Sequence, residues 1–165
     1  MCAQNYHIYE AIGRGRFSTV YKGRLKASIQ YYAIKGVDTA QRARVLTEVQ
    51  VLRALCHEGV LRFYAWYETS NHLWLVLEYC VGGDLLALLR ADKRVPEGSA
   101  AGWTRDAACA LRALHCAGIL HADLKPSNCL LDENGRLKLT GLGLSRRVAE
   151  IDAAWEGGQR VQVRG

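Results

Sequence analysis

The chain has 165 residues, with 22 Lys and Arg against 16 Asp and Glu, and half of its residues are hydrophobic at 50%. That length suits one domain with a real core, or about half of a two-lobed protein, since domains commonly run ~100–200 residues. An ordinary apolar fraction excludes general disorder, and no apolar run approaches the ~20 residues of a membrane span. The longest stretches, such as Leu73–Leu77, are strand-sized. Residues Met1-Cys2-Ala3-Gln4-Asn5-Tyr6 lack the basic-then-apolar order of a secretory signal, so a soluble, cytoplasmic protein is expected. The six cysteines show no C-x-x-C pair and no metal-type spacing with His, which predicts buried or half-buried free thiols. The net charge of +6 is spread along the chain. Its one local concentration, Arg14, Arg16, Lys22, Arg24 and Lys26, reads as a solvated hairpin face. No recognition motif accompanies it, so no nucleic-acid partner is expected.

Residues 6–12 and 19–25 flank a glycine-containing loop and are predicted to pair as strands. Residues 29–37, rich in aromatic and β-branched side chains, give a third strand. Over 41–56 the period changes: Val45, Val49, Leu52 and Cys56 recur at helical intervals and predict an amphipathic helix. Strands at about 61–68 and 72–79 are split by the turn formers Ser70 and Asn71. After Gly82-Gly83 the pattern turns helical. Asp84 is the expected N-cap of a short helix carrying Leu85, Leu86, Leu88 and Leu89. A longer helix, about 97–117, starts after Pro96 and stops at Gly118. An irregular loop from His121 to Asn128 precedes short strands at 129–132 and 137–140, joined by the turn Asp132-Glu133-Asn134-Gly135. Five strands with one helix, then mainly helices, is an α+β pattern with its boundary near Gly82-Gly83.

Three constellations carry chemistry. The first is Gly13-Arg14-Gly15-Arg16-Phe17-Ser18-Thr19-Val20, where glycines let backbone N–H groups approach phosphate oxygens. A dinucleotide fingerprint would open a helix here, but a strand pattern follows. A phosphate loop of the Gly-Lys-Ser/Thr type fails for want of that ending. The strand–loop–strand setting suggests a flap over a nucleotide. The second is Lys35 in Tyr32-Ala33-Ile34-Lys35, on a strand with apolar neighbours, so its ammonium needs an anion. Glu48, on the helix face of Val45 and Leu52, could supply it; the bland alternative is two unrelated surface charges. The third is His121-Ala122-Asp123-Leu124-Lys125-Pro126-Ser127-Asn128. Here Asp123 could accept a hydroxyl proton, Lys125 steady a phosphoryl group, and Asn128 hold a metal or orient Asp123.

The order and spacing of all three resemble the protein kinase signature set, from about Tyr6 to about Arg147. The resemblance implies a protein-kinase fold: a β-rich N-lobe over about 6–79, a hinge at 78–83 and a partial helical C-lobe over 84–147, with an irregular tail at 148–165. It further implies that Ile12, Gly13, Arg14, Gly15, Arg16, Phe17, Ser18, Thr19 and Val20 cover the phosphates of ATP. Val20 and Ala33 would sandwich the adenine with Leu130. Leu77 would be the gatekeeper, Glu78-Tyr79-Cys80 the hinge against the adenine edge, and Asp84 the ribose-facing residue. The stretch from Trp66 to Glu78 looks like the Unc-51-like and Fused-type kinases. The implied family reaction is phosphoryl transfer from ATP to Ser or Thr of a protein, with Asp123 as base and Lys35 as phosphate anchor.

Where the family has Asp-Phe-Gly, this sequence has Gly141-Leu142-Gly143. Glycine offers no carboxylate to a hard cation, leaving Asn128 as the one matched metal ligand and predicting weak magnesium binding and impaired transfer. Leu142 keeps an apolar side chain that, with Leu52, Phe63 and His121, could complete a column linking the lobes. Ser18 stands at the third loop glycine. Ala122 replaces an arginine that in many members pairs with a phosphorylated activation loop, so that switch is expected to be absent. Past Ser145-Arg146-Arg147 the family's substrate-docking platform is expected to be missing. The reading that results is an ATP-binding, pseudokinase-like scaffold with a protein partner. An active serine/threonine kinase and a fragment that does not fold alone are the alternatives.

Overall fold

The computed structural model describes residues 5–151. Five antiparallel strands open the chain, β1 (Tyr6–Arg14), β2 (Ser18–Leu25), β3 (Tyr31–Asp38), β4 (Phe63–Glu68) and β5 (His72–Glu78), in the spatial order β1-β2-β3-β5-β4. One helix, α1 (Arg42–Ala54), interrupts them between β3 and β4. Beyond Gly82-Gly83 come α2 (Leu85–Asp92), α3 (Glu97–Cys116) and short strands β6 (Ile119–Leu120), β7 (Cys129–Leu131), β8 (Leu137–Leu139) and β9 (Arg146–Arg147). The expected α+β division is therefore present.

Local chemistry explains where the elements end. Asp84 caps α2, its Oδ1 accepting from the Ala87 N–H at 2.8 Å. Gly118, at φ +69°, follows the end of α3, and its N–H closes on the His115 carbonyl. Two expectations shift. The third strand starts at Tyr31 rather than residue 29, because Ser28 Oγ accepts from the Gln30 N–H and holds a turn there, leaving Ile29 92% exposed. The helix expected over 41–56 stops at Ala54. Leu55 turns extended with its N–H still bonded to Val51, so the exposed Cys56 lies off the apolar face. Cys109 and Cys116 are exposed as well, whereas Cys80 and Cys129 are buried, so among the described residues the thiols are free but only partly hidden. The expected irregular tail begins as a helical turn at 148–151, and its remainder, 152–165, lies outside the described residues.

One apolar cluster runs through both halves. The sheet contributes Ala33, Leu75 and Leu77, α1 contributes Val45, Val49 and Leu52, α3 contributes Ala110 and Leu114, and Leu139 and Leu142 close it from below. The opposite sheet face carries a second, smaller cluster around Tyr32, Ile34 and Val76. Backbone bonds stitch the segment after α1 to β8: Leu61 N–H to Leu139 O at 2.9 Å, and Leu139 N–H to Gly59 O at 2.8 Å. Glu78 adds a side-chain tie. It meets Lys138 Nζ at 2.9 Å and accepts from the Arg62 N–H at 3.0 Å, while Lys138 also donates to Glu58 O at 3.1 Å. Among the described residues no helix is long and apolar enough to cross a membrane.

Asp106 anchors α3 to β8. The residue is 8% exposed, and its carboxylate accepts from Arg136 Nε and Nη2 at 2.9 and 2.8 Å and from the Leu137 N–H at 3.0 Å. The Arg136 hydrogen bonds hold its pKa below the usual carboxylate value, against the opposing effect of burial. Asp106→Ala strands the buried Leu137 N–H and should cost about 2–3 kcal/mol in urea unfolding. Breaking the exposed Arg42–Glu68 pair, with side chains 48% and 44% exposed, by Glu68→Ala should cost no more than about 1 kcal/mol.

Candidate functional site

A cleft of about 400 Å³ opens between the β1–β2 loop, α1 and the chain around residues 123–144. Its roof is a tight turn in which the Gly15 N–H donates to the Ser18 carbonyl at 2.8 Å. A Cβ on Gly15 would sit 2.9 Å from Ser18 Oγ. The missing side chain at residue 15 therefore makes room for the serine at the third glycine position. Arg16 lies over the Phe17 ring at 4.9 Å.

The back wall is an ion pair. Lys35 Nζ, on β3, donates to Glu48 Oε2 at 2.7 Å and Oε1 at 2.9 Å. Their side chains are 20% and 4% exposed, so the reading of two unrelated surface charges is set aside. β3 turns alternate residues to one face, which places Ala33, Lys35 and Val37 in a row along the cleft side of the sheet.

The floor is the loop from His121. His121 is 3% exposed, with Nε2 2.8 Å from the Thr140 carbonyl, and its Nδ1 accepts from the Asp123 N–H. That arrangement requires the neutral ring with its proton on Nε2. Burial holds its pKa below the usual histidine value. Ala122 sits at φ +61°, a conformation costing an L-residue about 1–2 kcal/mol. Next to it, the Asp123 carboxylate accepts from Lys125 Nζ at 2.9 Å and from Asn128 Nδ2 at 2.9 Å. The same Asn128 amide donates to the Asp123 carbonyl at 2.8 Å. Of the two roles expected for Asn128, orienting Asp123 is the one this geometry displays.

Gly141 faces that amide. Its φ is +78°, and a Cβ there would fall 2.5–2.6 Å from three atoms of the Asn128 side chain. The space of a side chain at 141 is thus filled by the amide that holds Asp123. Magnesium needs near-ideal oxygen coordination at about 2.0–2.1 Å. Gly141 supplies no carboxylate, and with the Asn128 Nδ2 donating to Asp123 the side-chain oxygen Oδ1 is the single neutral ligand this pair could offer. Among the described residues no group of three or more His, Cys, Asp and Glu side chains could hold a metal ion. These residues do not fit a magnesium site. Asp132, another carboxylate nearby in sequence, caps its own turn through the Asn134 and Arg136 N–H groups.

The predicted residues separate into two groups. Arg16, Phe17, Ser18, Lys35, Glu48, Asp123 and Lys125 line the cleft, with Gly141. Ala33, Leu77 and Cys80 lie in the apolar cluster, with Val20 and Leu130 packed against it. Ile12 is exposed, and Gly13, Arg14 and Thr19 run in the paired strands behind the loop. The carboxylate of Asp84 is taken up in capping α2, and that of Glu78 in the tie to Lys138. Burial, with the charge of Glu78, pushes the Cys80 thiol up to about 12. Leu52 and Leu142 share the core with Phe63 packed against it, and His121 is buried, as the column linking the halves requires. Arg44 and Gln41 also line the cleft and escaped the sequence reading. The signal for Arg44 was available, since it lies one helical turn before Glu48 and so shares its face.

Comparison with known proteins bears on this arrangement. The protein kinase domain family matches residues 6–156. The serine/threonine-protein kinase RUNKEL of Arabidopsis thaliana is 57% identical over 155 residues, covering 94% of this chain and 11% of the relative. The serine/threonine-protein kinase ULK4 of Mus musculus is 38% identical over 162 residues, covering 94% and 12%. The maternal embryonic leucine zipper kinase of Danio rerio is 37% identical over 145 residues, covering 86% and 21%. The ULK4 match agrees with the Unc-51-like look of residues 66–78. The chain thus spans between 11% and 21% of the length of these relatives.

Gly141→Ala should lower stability by about 2–3 kcal/mol, the sum of a left-handed alanine and a displaced Asn128 amide. In an Asn128→Ala background the same change should cost only about 1 kcal/mol, a coupling that a double-mutant cycle in urea reads directly. His121 gives a pH dependence. Because its folded pKa lies below the usual ~6.5, the unfolded chain takes up the proton first as pH falls. Stability should be level above about pH 7 and decline below ~6.5, by at most about 1.4 kcal/mol per unit. His121→Phe should flatten that slope.

Proposed function

The chain belongs to the protein kinase family, and from that premise we propose that it binds ATP in this cleft while transferring phosphate poorly, as a pseudokinase-like scaffold. The observation carrying this reading is Gly141 lying against the Asn128 amide, where a metal-binding carboxylate would have to fit. Phosphoryl transfer relies on a divalent cation to neutralise charge developing on the phosphates. The nucleotide side is better supported. Lys35 is held by Glu48 with its ammonium at the cleft, and Val20, Ala33, Leu77 and Leu130 give apolar surfaces for a base.

A second reading, an active serine/threonine kinase, has one observation in its favour. Asp123, Lys125 and Asn128 form a complete hydrogen-bonded set. The names of RUNKEL and ULK4 give the corresponding substrate class, Ser or Thr of a protein. In either reading the residues divide into an N-lobe over 6–79, a hinge at 78–83 and a C-lobe part over 84–147.

Thermal unfolding with and without nucleotide separates the readings. At a hundredfold excess over Kd, ATP should stabilise the protein by about 2.7 kcal/mol, a rise of roughly 5–10 °C for a domain of this size. The rise should be the same in EDTA as with magnesium, and Lys35→Met should abolish it. No rise under either condition removes the ATP-binding reading. Robust magnesium-dependent phosphorylation that Asp123→Asn abolishes would establish the active kinase instead.

A further inference from the structure

We propose that Arg16 and Arg44 form a subsite for the terminal phosphate of a nucleoside triphosphate, neutralising charge at the end of the cleft where no metal carboxylate is placed. The inference rests on the nucleotide-binding reading above and adds to it a preference among nucleotides.

Charge is the first observation. The cleft is lined by four cations, Arg16, Lys35, Arg44 and Lys125, and by two carboxylates, Glu48 and Asp123. Both carboxylates are already engaged. Lys35 donates to both oxygens of Glu48, and Lys125 and Asn128 donate to Asp123. Among the described residues the Arg44 guanidinium has no hydrogen bond or ion pair, and the contact of Arg16 is the ring of Phe17. Two arginines therefore line one cleft, neither of them in an ion pair with its carboxylates. A planar fork of N–H donors matches phosphate oxygens better than an ammonium does.

Direction is the second. Ala33, Lys35 and Val37 stand in a row on β3, spaced by about 7 Å from one to the next at the rise of a strand. The apolar surfaces expected for a base, Ala33 and Leu77, are cross-strand partners at one end of this row. Lys35 is in the middle. At the other end, Ser18 pairs with Val37, and the Asp38 N–H donates to Phe17 O at 3.3 Å, fixing the loop that carries Arg16. Arg44 comes to the same end from α1, one turn before Glu48. A nucleotide with its base at Ala33 meets Lys35 with its inner phosphates and reaches Arg16 and Arg44 only with the outermost one.

Titration calorimetry in EDTA tests this with the described chain, its Arg16→Gln and Arg44→Gln variants, and ATP and ADP as ligands. The unmodified chain should bind ATP at least about tenfold tighter than ADP, the worth of one or two charge-assisted hydrogen bonds. Each variant should lose most of that preference, its ATP affinity falling far more than its ADP affinity, and the retained ADP binding shows that the variant is folded. Arg90→Gln, which removes the same charge from α2 outside the cleft lining, should leave the preference intact. Equal affinity of the unmodified chain for ATP and ADP overturns the subsite while leaving nucleotide binding standing. So does a loss of ATP and ADP binding in parallel, or an effect of Arg90→Gln as large as that of Arg44→Gln. Failure of the unmodified chain to bind either nucleotide removes the nucleotide-binding reading and the subsite with it.

Discussion

A carboxylate cannot be carried to 3% exposure beneath a β-sheet without a partner, because the loss of its hydration is far larger than any packing gain at the same place. Glu48 is brought there by α1, whose Val45, Val49 and Leu52 bind the helix to the core. The partner is Lys35, which spans from the sheet and satisfies both oxygens. The pair is thus a condition on how α1 docks as much as a feature of the cleft. Removing one member of a buried pair typically costs about 3–5 kcal/mol, since the other charge is left alone. Everything on the α1 wall, including the position of Arg44 one turn away, follows from that docking.

The two halves are joined in a way that makes the cleft a seam rather than a gap between independent bodies. The apolar cluster is continuous from Leu75 and Leu77 in the sheet through Leu52 to Leu139 and Leu142 below. Polar ties follow the same line: the backbone bonds between residues 59–61 and 139, and the tie of Glu78 to Lys138 and the Arg62 N–H. Burial in one shared core is non-directional and sets the halves close. The hydrogen bonds, being directional, fix their register.

Much of this was legible because the signals were local. Asp84 before a leucine-rich run, glycine after a long helical period, and alternation around Lys35 each name their own structure. The Lys35–Glu48 pair was legible for a further reason: an ammonium among apolar neighbours requires an anion, and the helix offered one on its core face. What escaped was long-range. Nothing in the sequence near Asp106 announces Arg136, thirty residues on, and nothing near Glu78 announces Lys138, because such ties depend on how the segments lie together. Ile29 and Cys56 were misplaced at element ends, where a single side-chain bond from Ser28 or one extended residue, Leu55, outweighs periodicity.

Gly141 and Leu142 show how fold and chemistry come apart at adjacent residues. Leu142 has zero exposure and closes the core beneath α1, so that position answers to packing. Gly141 points the other way, at the Asn128 amide, and answers to the polar floor of the cleft. The space at 141 lies away from the apolar column and is taken by the Asn128 side chain, whose amide nitrogen bonds Asp123 twice. The floor is consequently well ordered and fully satisfied, with no buried side-chain polar atom left without a partner among the described residues. Order at Asp123 is therefore no measure of metal-assisted chemistry: the hydrogen bonds that steady the carboxylate come from Lys125 and the Asn128 amide nitrogen, and neither donor is a ligand for a cation. With the carboxylates of the cleft committed and four cations around it, the net field favours an anion whether or not a metal accompanies it.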